Sequence, residues 1–195
     1  MAILGLRSVR GGRGGSSLKT YIALLRGINL GARNKVAMAD LRALFSGLGA
    51  EDVTTYVQSG NVVFKSPEAA GPLVEVIEKS IRRDLGLSVS VMLRTRSQMA
   101  KVLAGNPFGG QKGDATKLHV TFLAAKPAGA RVRKLDPKLS APDEFRVVGG
   151  EIYLLCPNGY GRSQFSNAYF EKELGVTATT RNWRTVTRLA EIAGA

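Results

Sequence analysis

The chain of 195 residues has one cysteine, one histidine, one tryptophan and no long apolar run, and each shortage closes off a class of protein. With Cys156 alone there is no internal disulfide and no cysteine-based metal cluster. With His119 as the only other soft ligand, the common zinc sites are excluded as well, and no cofactor is expected. The longest strand-like apolar stretch, Tyr21 to Leu25, ends at Arg26 and falls far short of the roughly 18 residues that cross a bilayer. No membrane partner is expected, and a reducing cytoplasm is the simplest setting for a lone thiol on an apolar strand.

Positive charge is what the chain has in excess. The formal net charge of +13 is unevenly spread. Residues 1–18 carry three Arg and no acid, residues 19–94 ten basic and seven acidic groups, and residues 95–195 fifteen basic and eight acidic groups. Such a surface attracts polyanions, which makes nucleic acid a candidate partner, although no dense Lys/Arg run singles it out. The first eighteen residues, with five Gly and three Arg, have no apolar periodicity and lack the core of a secretory signal. They read as a disordered basic extension.

The ordered remainder repeats one pattern. The run Lys19–Leu25 reads as a strand, Ala37–Leu48 as a helix closed by Gly49, and Val53–Gln58 with Asn61–Lys65 as a hairpin turning at Ser59-Gly60. A helix over Pro67–Leu85 and a strand over Leu87–Leu93 follow. After a linking helix over Arg96–Ala104, the order recurs. It runs through a strand at Lys117–Ala124, a short helix near Val132–Leu139, a hairpin over Phe145–Leu155 turning at Gly149-Gly150, a helix at Ser163–Leu174, and an edge strand at Val176–Thr180. A last helix covers Asn182–Ile192. Read twice, β-α-β-β-α-β describes an α+β protein of two tandem ferredoxin-like (α-β plait) subdomains at 19–94 and 117–195, joined by residues 95–116. Each such sheet leaves one face open, and packing the two open faces together is the economical way to bury them. The alternative is an exposed face with Tyr56 and Met92 that stacks on bases, although the Gly-aromatic spacing of RNA-recognition motifs is missing from Asn61–Lys65.

Five motifs resemble the bacterial domain-of-unknown-function family numbered 1697. They are Tyr21-Ile-Ala-Leu-Leu-Arg-Gly-Ile-Asn-Leu-Gly31, Thr55-Tyr-Val-Gln-Ser-Gly-Asn-Val-Val-Phe64, Asn106-Pro-Phe108, His119-Val-Thr-Phe-Leu123 and Thr179-Thr-Arg-Asn-Trp-Arg-Thr-Val186. The resemblance runs from residue 19 to about 193. It implies two α-β-plait subdomains and no particular reaction.

Candidate site residues come from those motifs. Arg181 and Asn182 lead into a helix, where free N–H groups and the helix dipole favour a phosphate or carboxylate, and Asn182 suits the N-cap. Arg26 and Asn29 follow the first strand. Arg26 is expected near the Phe64–Lys65 end of the third strand, with the Ser59-Gly60 turn at the opposite edge, so that the two motifs meet only at an interface between subdomains. The expected ligand of Arg26, Asn29, Arg181 and Asn182 is a small anion or nucleotide held by a monomer. The competing expectations are a nucleic-acid-binding module, and an enzyme using His119 as a general base on an open face of its strand, against the plainer reading of a histidine buried or hydrogen-bonded between the two sheets.

Overall fold

The computed structural model describes residues 17–29, 34–109 and 114–195, so most of the basic N-terminal extension lies outside the described residues. The described residues form two four-stranded antiparallel sheets and six α-helices. The first sheet has the order β2-β3-β1-β4, from β1 (Lys19–Leu25), β2 (Glu51–Tyr56), β3 (Asn61–Ser66) and β4 (Val91–Thr95). The second has the order β6-β7-β5-β8, from β5 (Leu118–Leu123), β6 (Glu144–Val148), β7 (Glu151–Leu155) and β8 (Ala178–Asn182). Helices α1 (Met38–Gly47) and α2 (Ala70–Leu85) belong to the first half, α4 (Gly129–Val132) and α5 (Asn167–Leu174) to the second. Helices α3 (Arg96–Ala104) and α6 (Trp183–Ala193) each follow the last strand of a half.

Alternation along the strands divides the core into three layers. Tyr21, Ala23 and Leu25 of β1 and Phe64 of β3 face α1 and α2, meeting Phe45 and Ile77. Their neighbours Ile22, Leu24 and Val63, with Met92 of β4, point the other way into a core shared with Val120, Phe122 and Tyr153 of the second sheet. The same core takes in Met99 and Val102 of α3 and Val186 and Leu189 of α6. A third layer packs Ile152 and Leu154 on Phe165 and Phe170. The inner faces of both sheets are therefore covered. Tyr56 packs against this shared core, and Met92 is buried in it, so that neither is free to stack on a base.

Several elements are displaced from their expected positions for local reasons. Strand β2 ends at Tyr56, paired with Asn61, so the turn is Val57-Gln-Ser-Gly60 and longer than the two residues expected. Gly60 takes positive φ, at 75°, but Asn61 stays in the strand and Val57 takes the left-handed position instead, at φ 48°. Strand β4 begins at Val91 rather than Leu87, because it pairs with β1 only from Leu25↔Val91 onward. The short helix falls at Gly129–Val132, N-terminal to the expected span. Helix α3 matches its expected bounds, fixed by a capping box in which the Thr95 hydroxyl accepts from Gln98 N and the Gln98 side chain accepts from Thr95 N.

Candidate functional site at the junction of the two halves

In an antiparallel pair the C-terminal end of one strand adjoins the start of the other. Leu24 accordingly faces Asn61, and Leu25 N donates to Gly60 O at 2.8 Å. The expectation that Arg26 lies by Phe64 and Lys65 is thus corrected. The Arg26–Asn29 loop and the Gln58–Asn61 turn meet at one place. Asn29, at φ 53°, ties them together, for its amide donates to Val36 O and Gln58 O while its oxygen accepts from Val36 N.

Arg181 reaches this place from β8 of the other half. Its Nε donates to Asn61 Oδ1 at 2.6 Å, Nη1 to Thr179 Oγ1 and Thr180 O, and Nη2 to Leu25 O and Ser59 O. All five N–H groups are thereby engaged. The guanidinium is buried among neutral oxygens, and burial brings its pKa down to about 10. Arg26 forks onto Glu171 of α5, with both contacts at 2.6 Å. That carboxyl is held below its usual range by the guanidinium and by Ala178 N, against a burial effect that pushes it up and is the largest single influence. Asn182 caps α6 by accepting from Thr185 N. Of the four expected ligand residues, Arg26, Asn29 and Arg181 thus converge on one seam and are occupied there by protein groups, while Asn182 spends its side-chain oxygen on the cap.

Sequence reasoning missed that this seam has a counterpart. Arg94 of β4 crosses to the second half as Arg181 crosses to the first. Its Nη2 donates to Leu123 O and Gly150 O, and its Nε to Glu151 Oε1 at 2.8 Å. Backbone bonds match position by position. Leu25 N to Gly60 O corresponds to Leu123 N to Gly150 O, and Arg26 N to Ser90 O corresponds to Ala124 N to Thr177 O. Leu25-Arg26-Gly27-Ile28 therefore superposes in role on Leu123-Ala124-Ala125-Lys126.

The two seams differ in what fills them. At the first, Ile28 is buried against the turn, and a Cβ on Gly60 would stand 2.8 Å from Ile28 Cγ1 and from Leu25 Cβ. At the second, the residue corresponding to Ile28 is the exposed Lys126, and a Cβ on Gly150 would meet nothing nearer than Arg94 Nη2 at 3.7 Å. A cleft of about 370 Å³ remains there, lined among others by Arg94, Gln98, Lys101, Lys126 and the Gly149-Gly150 turn. A larger cavity of about 660 Å³ lies at the starts of β1, α2 and α3, lined among others by Lys19, Tyr21, Ala69, Ala70, Arg96 and Ala100.

His119 lies apart from both seams. It is on the face of β5 turned away from the first sheet, since Leu118 and Val120 occupy the inner face. Its ring stacks on Tyr160 at 4.9 Å, its Nδ1 is buried with no hydrogen-bond partner among the described residues, and burial lowers its pKa. The expectation of a histidine between the sheets is corrected. Cys156 is buried too, with its thiol pushed up to about 11. Among the described residues no group of three or more His, Cys, Asp and Glu could hold a metal ion, and no helix is long and apolar enough to cross a membrane.

The sequence model of the family described as "Protein of unknown function (DUF1697)" matches residues 18–153. The chain belongs to DUF1697. The match takes in the open seam, including Arg94, Lys101, Lys126 and Glu151, and stops before Arg181. A conserved bacterial protein from Streptococcus pneumoniae, SP0830, is similar in structure, with a TM-score of 0.69 at 26% identity over 91% of this chain and 99% of that one. This DUF1697 chain matches none of the curated proteins.

Proposed function

We propose that the protein binds a small anionic ligand, such as a phosphate-bearing metabolite or nucleotide, in the open seam between its halves. The observation that carries this reading is the contrast between the seams. Arg181 and Arg26 bridge the halves and, with Asn29 holding the Gln58–Asn61 turn in place, fill the first one, whereas the second keeps a cleft with Lys101 and Lys126 at its walls and Arg94 already neutralised by Glu151. Two lysine ammonium groups beside a partly buried, concave surface suit an anion. Of the residues expected to hold the ligand, Arg181 and Arg26 then act as a clasp that fixes the halves and so shapes the cleft.

The wider reading is of two ferredoxin-like plaits, 19–94 and 117–195, in a monomeric cytoplasmic protein. The strand orders and the buried lone thiol support it. The test is calorimetric titration with inorganic phosphate and AMP of the full chain and of a Lys101→Glu/Lys126→Glu variant. Binding should weaken about tenfold or more in the variant, since charge-assisted contacts are lost. Equal affinity in both proteins would defeat the proposal. Nucleic-acid binding is the second reading, favoured by the +13 charge. It predicts affinity for single-stranded RNA that falls steeply with salt and is spread over many basic residues.

A further inference from the structure

The matching of the halves extends to one more pair of residues, and there it leaves a gap. In the second half Ala178 N donates to Glu171 Oε1 at 2.9 Å, and the same carboxylate takes both prongs of Arg26. In the first half Val91 N donates to Glu78 Oε1 at 2.8 Å. Glu78 of α2 thus stands to β4 as Glu171 of α5 stands to β8. The position corresponding to Arg26 is Ala124, which the bond of its N–H to Thr177 O fixes as firmly as Arg26 N to Ser90 O fixes its mate. No guanidinium follows from Ala124, and among the described residues Glu78 has no ion-pair partner. The space that a side chain would take is a cavity of about 470 Å³, lined by Glu78, Ser90, Val91, Arg94, Ala124 and Thr177 among others.

We infer that Glu78 is a receptor for a guanidinium or ammonium group of a small ligand, which occupies the place that Arg26 fills on the opposite seam. The carboxylate is already oriented by a main-chain N–H, as Glu171 is, and an oriented carboxylate accepts a planar guanidinium through two parallel bonds. A preset acceptor loses little freedom when the ligand arrives. Arg94 and Ala124 also line the lysine-walled cleft, so the cation receptor and the basic cleft adjoin. A ligand with a cation at one end and an anion at the other fits both. The cation site itself rests on the Arg26–Glu171 pair and not on the anion reading.

Methylguanidinium chloride, titrated at millimolar concentration into the full ¹⁵N-labelled chain against matched sodium chloride, tests the inference. Saturable shifts are expected at the amides of Val91, Ala124 and Thr177. Glu78→Gln keeps an oxygen for Val91 N but removes the charge, and affinity should fall about tenfold or more. Ala124→Arg, which supplies the missing guanidinium from within, should abolish the shifts. Arg26→Ala should create a second site by exposing Glu171, and methylguanidinium should then raise the melting temperature of that variant. Lys101→Glu/Lys126→Glu should leave methylguanidinium binding in place, which separates this site from the anion cleft. Absence of saturable shifts in the unaltered chain, or equal affinity in Glu78→Gln, would overturn it.

Discussion

Arg181→Met removes the guanidinium while keeping most of the stem that packs in the seam, so it isolates the hydrogen bonds that close the first junction. Five acceptors lose their donor: Asn61 Oδ1, Thr179 Oγ1, and the carbonyls of Thr180, Leu25 and Ser59. The Thr179 hydroxyl can turn to another partner, which leaves four oxygens. At about 1 kcal/mol for each buried acceptor without a donor, the loss is about 4 kcal/mol. The charge itself was buried at a cost, as its lowered pKa of about 10 records, and removing it returns part of that loss. The net destabilisation is therefore about 2–4 kcal/mol, or a fall in melting temperature of about 4–16 °C for a chain of this size. Urea unfolding of the variant beside Arg188→Met measures it. Arg188 is exposed on α6 and, among the described residues, pairs only with the exposed Glu191, so its loss should stay within about 0.5 kcal/mol. If Arg181→Met were as mild as Arg188→Met, the clasp would not hold the halves and the argument for a closed seam would fail.

Other consequences follow from the same geometry. Gly60→Ala combines positive φ with a Cβ 2.8 Å from two buried side chains and should cost about 2–4 kcal/mol, whereas Gly149→Ala, at φ 64° with space around it, should cost about 1 kcal/mol by chemical denaturation. Burial lowers the pKa of His119, so the unfolded chain takes up a proton first. Stability should therefore fall as pH drops below about 6.5 and level off below the folded pKa, and His119→Phe should flatten that slope. Cys156, buried and with its thiol pushed up to about 11, should stay unreactive to a thiol-modifying disulfide reagent at pH 8 in the native state and react at once in urea.

Strand β1 and helix α3 were legible to the residue, because alternation and the Thr95–Gln98 box are local signals. The β-α-β-β-α-β order of each half was legible for the same reason. The start of β3 at Asn61 was legible too, but the starts of β4 and β8 were not. Strand β4 is placed by its pairing with β1, and Leu87 and Val89 have strand-like alternation but pack against the first core outside the ladder. The motifs containing Arg26, Asn29, Arg181 and Asn182 stand out in the sequence, but the contacts of both arginines are decided by partners distant in sequence. Arg181 meets Asn61 across 120 residues, and Arg26 meets Glu171 across 145. Nothing in the local pattern of Thr179-Thr-Arg-Asn182 says that its guanidinium is saturated. The open seam was hidden for a related reason. Ala124, Lys126 and Glu78 are unremarked residues in ordinary contexts, and their meaning appears only when each is set against Arg26, Ile28 and Glu171. Aligning the two halves strand by strand would have shown the contrast between Leu25-Arg-Gly-Ile28 and Leu123-Ala-Ala-Lys126.

The most direct test of one closed and one open seam is an amide chemical-shift map of the full chain during titration with inorganic phosphate at fixed ionic strength. Saturable shifts at Ala125, Lys126, Gly149 and Gly150, with Ser59, Gly60, Asn61 and Arg181 unmoved, are the predicted result. Shifts centred on Arg181, Asn182 and the Ser59–Asn61 turn would contradict the account and return the ligand to the first seam.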